Sequence, residues 1–493
     1  MQKYILALDQ GTTSSRAVLF DEKAVIIGIE QQETKQLYPQ PDRVEQDANE
    51  IWHSQLAVAL KVIKNNNIAS SQIAAIGITN QRETTVVWDK STGEPICHAI
   101  IWQDKRTITQ CETIVEQGWS EYIRANTGLV IDAYFSATKL QWILNHVAGA
   151  KEKAEGGELL FGTMDTFLMW KLSGGKLHIT DVSNASRTML FNIKRLCWDQ
   201  KLLQLFGIAE TMLPNVVDSS AFYGTTCDGL FENNIPLCAM IGDQQAALFG
   251  QACFAEGSAK NTYGTGCFVL MNTGSKPILS RHGLLTTIAW SINGKVDYAL
   301  EGSVFVAGAI IKWLRDSLKL IANAAETEKM ALDAGDNNGV YVVPAFAGLG
   351  APYWDMNAKG TISGLTFAAE KKHIVRAALE SMAYQTKDVL HAMQQDSGIT
   401  LKELNVDGGA VANNFLMQFQ ADILNVVVNR PKVIESTAMG AAFLAGLAVG
   451  LWTKEQIATL RTVEKKFLPE LAAEKRELLY NAWQNAVKRA RLK

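Results

Sequence analysis

The chain has 493 residues, 47% of them hydrophobic and 20% charged, with a formal net charge of -3. A chain of this length forms two or more domains with sizeable cores, and its near-neutral balance excludes a broad basic field for nucleic acid or an anionic membrane surface. Its seven cysteines (Cys97, Cys111, Cys197, Cys227, Cys238, Cys253 and Cys267) are odd in number and form no C-x-x-C pair, which argues against a disulfide framework or structural zinc and for the reducing cytoplasm.

The first apolar run, residues 4–8, ends at Asp9. Gly11, Thr12, Thr13, Ser14, Ser15 and Arg16 then make a polar turn before a second apolar run at 17–20. This reads as strand, turn, strand. Backbone N–H groups, hydroxyls, an arginine and a neighbouring carboxylate suit phosphate oxygens and Mg²⁺; a plain surface hairpin is the competing reading. The chain enters its first strand with no basic and then apolar leader, so no secretory signal is expected.

Strand 25–30, helix 49–65 and strand 73–79 follow, the last running into Asn80, Gln81, Arg82 and Glu83. Arg82 only donates and Glu83 only accepts, so the two could divide the hydroxyls of a polyol between them, or simply pair in solvent. Residues 84–88 read as a further strand, and 159–172 as strand, loop and helix. Trp102 and Tyr134 read singly as core aromatics. Apolar residues 239–241 lead into Gly242, Asp243 and Gln244, where Asp243 is either a helix cap or a carboxylate facing a cleft and able to accept a proton.

The second half repeats the opening in chemistry if not in letters. Strand 258–263 turns through Gly264, Thr265 and Gly266 into strand 267–271, which begins Cys267, Phe268. Two such turns could grip a polyphosphate from opposite sides. Strand 340–344, a long helix at 373–393, strand 404–406 and helix 413–424 follow. The glycines after Asp407, ahead of Asn413 and Asn414, suit a nucleotide at a helix N-terminus, or an ordinary capped turn. Residues 436–453 are uncharged but rich in Ala and Gly, which predicts a buried helix rather than a membrane span. Alternating strands and helices make the class α/β, with a boundary near residue 250: domains 1–250 and 251–493. No G-x-x-x-x-G-K-[ST] or G-x-G-x-x-G motif is present, and the seven histidines form no H-x-x-x-H pair, so P-loop, dinucleotide and histidine-metal chemistry find no motif here.

The motifs at 9–16, 77–84, 242–251, 261–268 and 407–418, with further matches at 126–132 and 184–192, closely resemble the glycerol kinases of the FGGY carbohydrate kinase family. The resemblance runs from residue 4 to about 488. It implies two actin/hexokinase-like (ribonuclease-H-like) domains closing on a central cleft, and ATP-dependent phosphorylation of glycerol. By position it places Arg82, Glu83, Tyr134, Asp243 and Gln244 on glycerol hydroxyls, with Trp102 and Phe268 as apolar walls. Thr12, Thr13, Ser14, Arg16 and Thr265 fall on nucleotide phosphates, and Gly308, Gly409 and Asn413 on the remaining nucleotide contacts. Asp9 and Asp243 fall beside Mg²⁺, with Asp243 as catalytic base. The resemblance also implies a homodimer or homotetramer. Lys312 stands where relatives often carry glutamine, and residues 229–234 lack the arginine and the histidine that some relatives use in regulation. A kinase for a longer polyol or ketose, and a non-catalytic actin-like ATPase, are the competing functional readings.

Overall fold

The computed structural model describes residues 2–491. Its spine is a 13-stranded sheet. In chain order the strands are β1 (Tyr4–Gln10), β2 (Ser14–Asp21), β3 (Ile26–Glu33), β4 (Ile73–Asn80), β5 (Ser220–Thr225), β6 (Pro236–Gly242), β7 (Ser258–Tyr263), β8 (Cys267–Gly274), β9 (Leu285–Ile292), β10 (Lys295–Val304), β11 (Glu403–Asp407), β12 (Val427–Pro431) and β13 (Val463–Phe467). Their spatial order is β13-β12-β11-β7-β8-β10-β9-β5-β6-β4-β1-β2-β3.

The expected internal repeat is visible in the pairing. β1 and β2 form an antiparallel hairpin, and β1 runs parallel to β4. β7 and β8 form the same hairpin, and β7 runs parallel to β11. The halves meet where β5 lies beside β9, paired at Ser220 and Ile292. The difference lies beyond β8, which pairs with β10 rather than with the strand next in sequence.

The central strands are buried on both faces, which is why they read as unbroken apolar runs. Along β1, Leu6 and Leu8 join the core under helix α1 (Ala48–Asn65), while Ile5 and Ala7 join the core on the opposite face. This is the two-residue alternation of a strand. α1 starts one residue before its predicted position because Asp47 caps it, accepting from the amides of Asn49 and Glu50. The strand expected at 84–88 begins later, at Val86, because Thr84 closes a tight turn onto the Arg82 carbonyl.

Of the remaining helices, those that bear on the candidate site are α2 (Ser136–His146), α3 (Asp243–Gly250), α4 (Gly308–Asp316), α5 (Asn414–Leu424) and α6 (Ser436–Ala448). α6 is the uncharged segment noted in the sequence. It belongs to the second half of the chain but packs on β1, β4 and β6 of the first, and on α3. The contact is backbone on backbone: a Cβ on Gly440 would stand 1.9 Å from the Ala246 carbonyl oxygen. Among the described residues no helix is long and apolar enough to cross a membrane.

Candidate active site

Parallel strands β1, β4 and β6 end together, and β7 and β11 end together across the sheet. Ligands of open α/β sheets bind at such carboxyl ends. Asp9 lies near the end of β1, Arg82 and Glu83 just beyond β4, and Asp243 at the first position of α3 after β6.

Arg82, Glu83 and Asp243 are brought into one cluster. The Arg82 Nε stands 3.3 Å from Asp243 Oδ1 and 3.9 Å from Glu83 Oε1. Arg82 and Glu83 are almost wholly buried, whereas Asp243 keeps 30% of its side chain open. Glu83 has a left-handed backbone, φ 60°, unusual for a non-glycine residue. Such conformations cost about 1–3 kcal/mol and persist only when their surroundings enforce them. Here the Ser136 hydroxyl donates to the Glu83 carbonyl at 3.1 Å, and the Lys139 ammonium on α2 lies 3.5 Å from it. Lys139 also donates to the Tyr134 carbonyl at 2.7 Å, so one buried cation pins two of the predicted polyol contacts.

Besides Lys139, three charged residues at this site were not singled out from the sequence. Glu301, on β10, accepts from Arg82 Nη1 at 2.6 Å and Nη2 at 3.0 Å. Arg187 donates to Glu83 Oε1 at 2.6 Å and to Glu301 Oε1 at 3.0 Å. Lys260, on β7, donates to Gln244 Oε1 at 2.5 Å and to Thr262 Oγ1 at 2.9 Å. Buried charges are tolerated when paired in this way. Arg187 sits inside the 184–192 motif, so its place could have been suspected; Glu301 lies in an ordinary strand with no local signal.

The electrostatics follow from the packing. Burial pushes the carboxyls of Asp243 and Glu83 up, against the pull of Arg82 on the first and of Arg187 and Arg82 on the second. Burial acts on Glu301 in the same sense, but Arg187 and Arg82 outweigh it and hold that carboxyl down at about 2. Burial lowers the Lys260 ammonium to about 8, with Asp407 and Asp243 opposing.

Trp102 and Tyr134 meet edge to face, ring centroids 5.7 Å apart, and the Arg187 guanidinium lies 5.7 Å over the Tyr134 ring. The Trp102 indole donates to Thr12 Oγ1 at 2.9 Å, tying the aromatic wall to the β1–β2 turn. Phe268 is half-buried on β8, opposite Thr262 and Ser303; among the described residues no ring contact joins it to Trp102 or Tyr134. In the turn itself Thr13 is exposed and Thr12 half-exposed. Ser14 is buried and accepts from Gln31 at 3.0 Å, while Ser15 bonds Ser54 at 2.7 Å, so both of these hydroxyls already have protein partners. Arg16 donates to Glu435, which precedes α6.

The second turn mirrors the first. Thr265 is exposed at its tip, and its carbonyl accepts from the amides of Ala307 and Ala309. The Gly308 amide donates to the Gly264 carbonyl at 2.9 Å, so the turn and the start of α4 are one unit. Just after β11, which pairs beside β7, Gly409 is exposed with open space around it. Asn413 caps α5, accepting from the Leu416 amide at 2.9 Å and donating to Thr327 at 3.1 Å. Its cap role and a ligand role are compatible, because it remains half-exposed.

Asp9 is the test of fit for a divalent ion. It is half-buried and lies deep among protein atoms; burial raises its carboxyl to about 7, Arg16 opposing, with Glu435 and Asp243 adding to the rise. A cation would relieve that cost. Among the described residues no group of three or more His, Cys, Asp or Glu side chains is arranged to hold a metal. This fits Mg²⁺, which uses one or two carboxylates and fills its shell with phosphate oxygens and water.

The chain is similar to known proteins along nearly its whole length. The N-terminal domain of the FGGY family of carbohydrate kinases matches residues 4–250, and the C-terminal domain of that family matches 259–449. A glycerol kinase of Brevibacillus brevis is 61% identical over 486 residues, 98% of this chain and 97% of its own. Glycerol kinase 2 of Thermotoga maritima is 60% identical, covering 99% of both chains. A crystal structure of Plasmodium falciparum glycerol kinase with ADP superposes with a TM-score of 0.95 at 37% identity, over 100% of this chain and 99% of that one. With both domain signatures and near-full-length relatives in hand, the chain belongs to the FGGY family of carbohydrate kinases.

Proposed function

We propose that this cleft transfers the γ-phosphoryl group of ATP to a terminal hydroxyl of glycerol, giving sn-glycerol 3-phosphate and ADP. The observation that carries the reading is the convergence of Arg82, Glu83 and Asp243 at one set of strand ends, in a chain about 60% identical to glycerol kinases over nearly its whole length.

Each residue has a chemical role that its surroundings allow. Arg82 donates to glycerol hydroxyls and Glu83 accepts from them; Arg187 engages only Oε1 of Glu83. Tyr134, Gln244, Trp102 and Phe268 complete the pocket. Asp243 orients the attacking hydroxyl and takes its proton as the new P–O bond forms. Thr12, Thr13, Ser14, Arg16 and Thr265 hold the phosphates through hydroxyls, amides and one guanidinium; Gly308, Gly409 and Asn413 receive the rest of the nucleotide. Mg²⁺, held through Asp9 and Asp243, would neutralise phosphate charge. Phosphoryl transfer asks a protein mainly for such positioning and charge complementarity. Closure of the halves over the substrates would exclude water as a competing acceptor.

The family matches to residues 4–250 and 259–449 support a domain boundary close to residue 250. The unpaired cysteines support a cytoplasmic setting. We assign the assembly to a homodimer or homotetramer, checked by light scattering of the purified protein.

The second reading is a kinase for a longer polyol or ketose. Gluconate and xylulose kinases of Lactobacillus acidophilus share the fold, each with a TM-score of 0.88 at 21% identity, which speaks to architecture alone. A coupled assay of ADP release over glycerol, dihydroxyacetone, xylulose and gluconate decides. Glycerol is expected to give the highest kcat/KM; faster turnover of xylulose or gluconate overturns the assignment, and ATP turnover without any polyol points to an actin-like ATPase that phosphorylates no small-molecule acceptor.

A further inference from the structure

We infer that Glu301 is a positioning residue of the polyol site, a carboxylate sent from the second half of the chain to aim two arginines of the first. The inference rests on the glycerol-kinase reading above.

A guanidinium carries five N–H donors. In Arg82, Nη1 donates both to Glu301 Oε2 at 2.6 Å and to Gln245 Oε1 at 3.0 Å, and Nη2 donates once to Glu301 Oε1 at 3.0 Å. Glu301 thus clasps the far end of the guanidinium. What stays free is the side edge: Nε–H and the second Nη2–H, parallel donors that match two adjacent hydroxyl oxygens. Asp243 Oδ1 stands 3.3 Å from that same Nε, so the free edge is turned toward the proposed base. Glu301 Oε1 also accepts from Arg187 Nη2 at 3.0 Å and so sets Arg187, which in turn donates to Glu83 Oε1 at 2.6 Å. One carboxylate therefore fixes both members of the Arg82 and Glu83 pair.

The competing explanation is that Glu301 only stabilises the join between the halves. Physical chemistry makes that a weak reason for its presence, because a buried ion pair is often no more stabilising than a well-packed apolar substitute. Its geometry, in contrast, is specific. The contact spans 219 residues, Glu301 is 0% exposed, and both of its oxygens are committed to guanidinium donors. Bidentate pairing of this kind fixes orientation as well as charge.

The test uses the full-length protein with Glu301→Asp and Glu301→Gln. Glu301→Asp keeps the charge, and so the compensation of both arginines, but withdraws the carboxylate by one methylene. It is expected to fold, to raise KM for glycerol about tenfold or more, to leave KM for ATP within about twofold, and to lower kcat at saturating glycerol much less. Glu301→Gln is expected to show the same split more strongly, with a lower melting temperature. If Glu301→Asp folds and both KM values stay within about twofold of the parent, or rise together, the inference is overturned. If neither variant folds, Glu301 is structural and the inference is equally overturned. Absence of glycerol-dependent turnover in the parent protein would instead defeat the function reading itself.

Discussion

The two sides of the cleft are built from different materials. The proposed polyol side is made of side chains: Glu83, Arg187, Glu301, Arg82 and Asp243 form a chain of alternating charge in which each member contacts the next. The proposed nucleotide side draws more on main chain: the turns at Gly11–Ser14 and Gly264–Gly266 close on their own backbone bonds, and Gly308 docks on the second of them. Side chains give the first side its chemical selectivity and make it sensitive to charge. Backbone would give the second a shape suited to phosphate groups, and make it sensitive to bulk.

The sharpest break of that contrast is at the base. Asp243→Asn is expected to lower kcat by ~10²–10⁴ while ADP binding persists, measured by turnover and by calorimetry; near-parental activity would reject the assignment. Because burial raises the Asp243 carboxyl, the acid limb of kcat/KM should lie above the ordinary carboxylate range in the parent, since the base works only when deprotonated.

Next comes Arg82→Ala. It removes two free donors to the polyol and leaves Glu301 with one cation fewer, so KM for glycerol should rise on the order of 10²-fold, from bonds worth about 1.5–3 kcal/mol each. KM for ATP should change little; equal changes in both would remove Arg82 from the polyol side.

On the nucleotide side, two glycines make a matched pair. A Cβ on Gly308 would stand 2.6 Å from the Gly264 carbonyl oxygen, whereas one on Gly409 meets nothing within 4 Å. Gly308→Ala should cost about 1–3 kcal/mol of stability by forcing the turn aside, and should raise KM for ATP. Gly409→Ala should leave melting within about 0.5 kcal/mol, so any rise in its KM for ATP reports the ligand alone. Glycerol KM should hold in both.

The smallest effect is at Asp9. Its folded-state carboxyl, raised from 3.8 to about 7, holds a proton more tightly than in the unfolded chain. Its stabilising contribution is therefore full below the ordinary value and fades as pH rises through about 7. The ligand-free protein should melt slightly lower at pH 8 than at pH 6, and Asp9→Asn should reduce that slope without removing it, because the buried Asp165 carboxyl is raised to about 7 as well; an unchanged slope would place the titration elsewhere.

The sequence by itself determined the elements of the hairpin repeat, because double-sided burial writes strands as apolar runs and polar turns need glycine and hydroxyls. It also pointed to Asp9, Arg82, Glu83 and Asp243, which stand where such strands end. Only the tertiary structure decided that Ser15 serves α1 rather than the cleft, that Asn413 caps a helix, and that Arg16 meets Glu435. The same holds for Glu301, whose strand looks like any other. Its role arises from a contact across the sheet, and no local pattern of residues encodes which distant charge a buried carboxylate will face.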